Sequence, residues 1–344
     1  MDVAALREYL VGAGIAVQGD LRVELISGGR SNLTFKAYDD ISTWVVRRPP
    51  TSGLTPSAHD MAREYTVISR LRGTSVPVAA AVAFDAEGAA LGAPMTVVEY
   101  VDGSVIRDRT ELAALTDAQV EASAKALVAT LVDLHAVDYR AVGLENFGRP
   151  HEFVARQVAL WARQWERVKT RELPDVAVLH AALAEAIPAS SDASVIHGDF
   201  RIDNTILDSA APDVIRAVVD WEMSTLGDPL TDIALMCVYR APVFDLVLGV
   251  DAAWTSQRLP SPDALAQHYA TLSGRDLADW NFYLALANFK LGVIGEGITH
   301  RALLGSDAGG DAHRAAEATP EFMAAGLRAL RATSRAGSHS TELL

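Results

Sequence analysis

Cysteine is nearly absent: one residue, Cys237, in a chain of 344. That excludes a disulfide framework and any metal site built from several thiolates. The nine histidines form no HExxH pair, so a zinc-peptidase helix is not encoded. Also missing are the GxSxG turn of an esterase nucleophile and the GxxxxGK[ST] loop that wraps phosphates. The opening segment, MDVAALREYLVGAGIAV, has no basic leading region and no continuous apolar stretch, so it does not read as a secretory signal. The longest apolar run, NFYLALANFKLGVIGEGI, is interrupted by Asn, Lys and Glu and is too short to span a bilayer. These absences lead to the expectation of a cytoplasmic protein with no membrane partner. Basic charge is scarce as well, with 30 Lys and Arg against 44 Asp and Glu and a net charge of −14. No nucleic-acid partner is expected, because binding one needs a basic face.

Half of the residues are hydrophobic and 22% are charged, a globular balance with core enough for two units or two lobes. The first hundred residues alternate between helix and strand patterns. Val3 to Ala13 is amphipathic. Leu21–Leu25, Asn32–Tyr38 and Trp44–Arg48 alternate like strands, the first two separated by the turn-forming run Ser27-Gly28-Gly29-Arg30-Ser31. Asp60 precedes a helical period carried by Met61, Tyr65, Ile68 and Leu71, and Gly73 stops it. Strand patterns return near Ala79–Phe84 and Met95–Tyr100. Beyond Tyr100 most of the chain is helical in pattern, with Asp117 as the expected cap of a helix ending at Leu134. Short β-type runs reappear around Val195–Ile206 and Ile215–Trp221. The spacing thus predicts a β-rich lobe over 1–100, a helical lobe over 101–335 and a polar tail over 336–344.

The densest chemistry lies in Val195-Ile196-His197-Gly198-Asp199-Phe200-Arg201-Ile202-Asp203-Asn204. An apolar strand delivers a loop bearing a carboxylate and then an amide, in the spacing HxDxxxxN. The next buried run, Ala217-Val218-Val219, ends in Asp220. Oxygen-bearing side chains at strand ends can converge on one hard cation, and Mg2+ takes few protein oxygens when phosphates supply the others. Asn204 and Asp220 suit that role, leaving Asp199 free to face a hydroxyl nucleophile.

HGDFRIDN and VVDWEMSTLGDPLTDIA together resemble the catalytic and metal motifs of the aminoglycoside phosphotransferase family. The resemblance runs from about residue 26 to 300 and implies an α+β, protein-kinase-like fold with a small β-rich lobe and a larger helical one. It implies ATP and Mg2+ as cofactors, and a small-molecule hydroxyl as phosphoryl acceptor. On this resemblance Gly28, Gly29, Ser31 and Asn32 cover the nucleotide phosphates. Arg47 stands where the family usually has a phosphate-binding lysine, a departure that changes shape more than charge. Glu64 is its expected partner on the following helix, and the backbone from Glu99 to Val101 is the expected edge for adenine. His135 and His197 are expected to brace the structure, and Asp228 to cap a helix and steady the catalytic loop. The segment WVVRRPP followed by AHDMAREYTVISRL is more similar to the branch found with acyl-CoA dehydrogenases, which makes a hydroxyacyl-CoA a candidate acceptor beside an aminoglycoside. The Arg47 departure also leaves open a pseudokinase that binds nucleotide without transferring phosphate.

Overall fold

The computed structural model describes residues 1–27, 32–49, 60–188, 193–305 and 311–338. The chain begins with α1 (Val3–Gly12), followed by β1 (Arg22–Ser27), β2 (Leu33–Tyr38), β3 (Thr43–Arg48), α2 (Met61–Leu71), β4 (Ala81–Asp85) and β5 (Met95–Glu99). The five strands form one antiparallel sheet in the order β1-β2-β3-β5-β4. Leu6 and Leu10 of α1 are fully buried in the same cluster as Trp44, Val46, Met95 and Val97, so α1 closes the sheet's core.

Helix α2 starts where the side chain of Asp60 accepts the Arg63 N–H at 2.9 Å, an N-cap that satisfies one otherwise orphaned donor. Its buried face carries Met61, Glu64, Val67, Ile68 and Leu71. Tyr65, expected on that face, is half-buried and stacks on Phe84 instead, and a carboxylate takes the interior position. Val67, Ile68 and Leu71 pack into the core of the helical lobe, so α2 belongs mechanically to both lobes.

The second lobe contains α3 (Arg109–Ala113), α4 (Asp117–Ala136), α5 (Phe153–Val168), α6 (Pro174–Glu185), β6 (Ser194–Ile196), β7 (Thr205–Leu207), β8 (Ile215–Val218), β9 (Thr225–Gly227), α7 (Leu230–Val238), α8 (Phe244–Leu248), α9 (Pro262–Ser273), α10 (Trp280–Leu303) and α11 (Thr319–Ser338). Helix α4 is capped by Thr116, whose hydroxyl accepts from Gln119 N–H while the Gln119 side chain returns to the Thr116 N–H. This box displaces Asp117, the expected cap, into the first turn. Two small antiparallel ladders, β6 with β9 and β7 with β8, hold the loops between them. Helix α10 is buried along most of its length and forms the spine of this lobe. Among the described residues no helix is long and apolar enough to cross a membrane.

Candidate active site

Strand β6 is fully buried and delivers His197, Gly198 and Asp199 to one end of the ladder. At Gly198 the chain turns with φ +83°, and a Cβ there would lie 2.7 Å from the Met223 carbonyl, so only glycine fits. The turned backbone is gripped from below by Asp232, in the first turn of α7. Its carboxylate accepts the His197 N–H at 2.6 Å and the Gly198 N–H at 2.8 Å. His135 lies 3.4 Å from the same carboxylate, with its other ring nitrogen 2.7 Å from the Tyr269 hydroxyl. Burial holds His135 below its ordinary range and therefore neutral. Burial alone would raise Asp232, but its hydrogen bonds from His135 and from the loop outweigh that and keep it below the usual carboxylate range.

His197 braces the same loop sideways. Its Nε2 is 2.9 Å from the Val219 carbonyl, and its Nδ1 lies 3.2 Å from the Asp199 N–H. Donation from Nε2 to the carbonyl leaves Nδ1 as the acceptor, which fixes one tautomer. Neither His135 nor His197 reaches into the cleft, in keeping with structural roles.

The Asp199 carboxylate is held at both oxygens. Oδ1 accepts from the Tyr239 hydroxyl and from Arg201, and Oδ2 lies 3.0 Å from the Asn204 amide nitrogen. That amide nitrogen also donates to the Asp199 carbonyl at 2.7 Å. Arg201 continues to Asp203, its Nε lying 2.7 and 2.9 Å from the two carboxylate oxygens. Burial opposes the Arg201 charge, yet Asp199 and Asp203 together hold it firmly protonated. Burial, followed by the Asp199 charge, pushes the Tyr239 hydroxyl well up, so it remains a donor.

With its nitrogen committed twice, Asn204 keeps its Oδ1 free of any donor among the described residues. Its carbonyl accepts the Val219 N–H at 3.0 Å and so prolongs the β7–β8 ladder, which brings Asn204 alongside Asp220. Asp220 itself has φ +65°, a left-handed conformation rare outside glycine that turns the strand end into the cleft. A single oxygen from each residue suits a Mg2+ whose remaining ligands are phosphate and water. No cluster of three or more His, Cys, Asp or Glu that could hold a metal alone exists among the described residues.

Arg47 joins the lobes. Its Nη1 lies 2.5 Å from Glu64 Oε1, the pairing expected from sequence, and its Nη2 lies 2.9 Å from Asp220 Oδ1, which sequence did not indicate. Burial works against the guanidinium's charge, but Glu64 and then Asp220 outweigh it. Glu64 is 2% exposed. Arg47→Ala would strand that carboxylate and is expected to destabilise the fold by about 3–5 kcal/mol, read as a lower urea midpoint, with Arg47→Lys recovering part of it. A midpoint unchanged in the alanine variant would refute the pairing's role.

At the sheet's end, the Glu99 N–H is taken by the Ala80 carbonyl at 2.8 Å and the Tyr100 N–H by Thr43 at 3.0 Å. The sheet thus uses both of these N–H groups, so the expected adenine edge from Glu99 to Val101 falls to the remaining backbone groups of that segment. The Val101 N–H and carbonyl engage no described residue. Asn32 is buried at the start of β2, while Gly28, Gly29 and Ser31 lie outside the described residues.

Sequence reasoning assigned the loop-steadying role to Asp228. In the structure Asp228 accepts the Leu230 N–H at 2.9 Å and the Tyr283 hydroxyl at 2.6 Å, capping α7, and Asp232 holds the loop. A charged residue inside the apolar run LTDIALMCV was the available signal. Arg63 was also missed: it donates to the carbonyls of Ser224 and Phe147, both at 2.8 Å, tying α2 to the helical lobe.

The order of β6, Asp199-bearing loop, β7–β8 ladder and terminal carboxylate lies within a stretch, residues 22–280, that matches the sequence model of the phosphotransferase enzyme family, APH. The chain belongs to this family. Human acyl-CoA dehydrogenase family member 11 is 31% identical over 334 residues, covering 96% of this chain and 43% of that protein. Mouse acyl-CoA dehydrogenase family member 10 is 31% identical over 320 residues, covering 92% of this chain and 30% of that protein. The chain thus spans less than half the length of these curated relatives. The crystal structure of a putative aminoglycoside phosphotransferase from Ralstonia eutropha superposes with a TM-score of 0.81 at 30% identity, covering 96% of this chain and 98% of the other. A thermostable mutant of aminoglycoside phosphotransferase APH(4)-Ia, in a ternary complex with AMP-PNP and hygromycin B, gives a TM-score of 0.60 at 14% identity, with 95% and 98% covered. These likenesses establish the α+β, two-lobed, protein-kinase-like fold of this APH-family chain.

Proposed function

We propose that this APH-family protein transfers the γ-phosphoryl group of ATP to a hydroxyl of a small molecule. The observation that carries the reading is the joint placement of Asp199, Asn204 and Asp220 at one end of the β7–β8 ladder, within reach of Arg47 from the other lobe. The family match and the nucleotide complex of a fold relative support it.

In this reading Asp199 Oδ2 receives the proton of the acceptor hydroxyl as that oxygen bonds to the γ-phosphorus and the bond to the β-phosphate oxygen breaks, releasing ADP. Tyr239 and Arg201 keep Oδ1 occupied, so the carboxylate cannot rotate away from the acceptor. Arg47 presents its guanidinium to the phosphates while Glu64 holds it from behind. Asn204 and Asp220 would hold Mg2+, which when bound supplies charge neutralisation between the β- and γ-phosphates. The Val101 backbone offers one donor and one acceptor to a base edge. Positioning and electrostatics supply most of the rate in such a transfer. For the acceptor we favour a hydroxyacyl-CoA over an aminoglycoside, because the curated relatives carry acyl-CoA dehydrogenase in their names.

Calorimetry with ATP, with and without Mg2+, tests the site. Mg2+ is expected to strengthen nucleotide binding in the wild type, and Asp220→Ala is expected to abolish that gain. Equal Mg2+ dependence in the variant would remove Asp220 from the metal site, and no binding at millimolar ATP would overturn the whole reading.

A further inference from the structure

Behind the catalytic loop lies a cavity of about 250 Å³, bounded by α5, α7, α10, β6 and β9. Phe153, Leu160, Trp161 and Leu286 give it apolar walls. Two charged residues border it, Asp232 and Lys290. The Asp232 oxygens are already committed to the His197 and Gly198 N–H groups and to His135. Lys290 differs. Among the described residues its ammonium makes one hydrogen bond, to the Gly198 carbonyl at 2.9 Å, and faces the ring of Trp161 at 5.6 Å. Two N–H donors therefore remain. The group is buried, which holds it below its ordinary range, and the charge of Asp199 pulls it back upward, so the ammonium lies within the field of the catalytic carboxylate.

A charged head at the edge of a mostly apolar cavity, bonded to the carbonyl of the residue before Asp199, favours an oxygen acceptor as its partner. The cavity offers no uncommitted carboxylate, so it does not suit a polycation. An apolar chain fits its walls, and an oxygen acceptor fits Lys290. We infer that Lys290 is a specificity-determining residue that binds the acyl oxygen of the phosphoryl acceptor while the acceptor's alkyl chain fills the cavity. The acyl oxygen can belong to a free carboxylate or to a thioester. The inference rests on the phosphotransferase reading for its second substrate, and extends it by naming the contact that selects that substrate.

The experiment titrates four probes into the full chain by calorimetry, with and without Mg2+ and AMP-PNP: 3-hydroxyoctanoate, 3-hydroxyoctanoyl-CoA, octan-3-ol and kanamycin. The two acyl-bearing probes are expected to bind more tightly than octan-3-ol, and kanamycin more weakly than all three. Lys290→Met should weaken the acyl-bearing probes by about tenfold, the loss of one charge-assisted hydrogen bond, and change octan-3-ol by less than about threefold. Lys290→Arg should recover part of the difference. Which acyl probe loses more tells a carboxylate from a thioester. If Lys290 only supports the loop through Gly198, all probes change together and the inference fails. It fails also if kanamycin binds best, or if acyl probes and octan-3-ol bind alike in the wild type. Should Lys290→Met not fold, Trp161→Ala serves in its place, with weakening expected for the three alkyl probes and not for kanamycin. Absent AMP-PNP binding would overturn the phosphotransferase reading separately, because the probes are also read without nucleotide.

Discussion

Asp199→Asn is expected to slow acceptor phosphorylation by about 10²–10⁴-fold, the range supplied by a positioned general base. The asparagine oxygen can still accept from Tyr239 and Arg201, which occupy Oδ1 in the wild type. Its nitrogen would then meet the Asn204 amide nitrogen, now 3.0 Å from Oδ2, donor against donor. On the proposed reading the variant removes the carboxylate that would take the hydroxyl proton, while Tyr239 and Arg201 still hold the side-chain oxygen. Single-turnover transfer from labelled ATP measures the rate, and calorimetry measures nucleotide affinity beside it. A rate within threefold of wild type would end Asp199's role as base. A parallel collapse of nucleotide binding would mean that the substitution disturbed Asn204 and not only proton transfer.

Asp232→Ala should be strongly destabilising, at about 2–6 kcal/mol. It leaves the buried N–H groups of His197 and Gly198 without an acceptor, and each such orphan costs about 1–3 kcal/mol. Urea denaturation at unchanged slope reads the loss, and activity should fall with it because the loop carrying Asp199 is no longer gripped. Acid provides an independent check. Asp232 is held below its unfolded value, so its contribution is complete at neutral pH, above the unfolded pKa of about 3.9, and fades as pH falls through the depressed folded value. The stability gap between wild type and variant should narrow below about pH 4. A gap that stays constant across that range would show that the carboxylate's charge is not what holds the loop.

The readable part of this site was the part written contiguously. HxDxxxxN and the apolar run ending in Asp220 keep their order in sequence and in space, because short strands carry them directly to the cleft. The Arg47–Glu64 pair was also accessible, since β3 and α2 are neighbours in the chain. Asp232, Tyr239 and Lys290 were not, because each meets the Asp199 loop from within or just beyond a helix far along the sequence, and helical periodicity says which face is apolar but not what it touches. Asp228 and Asp232 show the difference closely: one turn of helix separates a cap from the loop's anchor. Short elements were lost for another reason. β9 has three residues, too few for any period.

The attachments of α2 bear on how such a protein could be controlled. Arg63 and Glu64, adjacent on that helix, are bound to the Ser224 and Phe147 carbonyls and to Arg47. Swinging the helix away from the cleft would break three charge-assisted hydrogen bonds, at about 1.5–3 kcal/mol each. It would also draw Val67, Ile68 and Leu71 out of the core they share with the other lobe. Displacing α2 would therefore cost at least about 4 kcal/mol in hydrogen bonds alone. The orientation of one lobe relative to the other is thus set by a helix that is anchored in both.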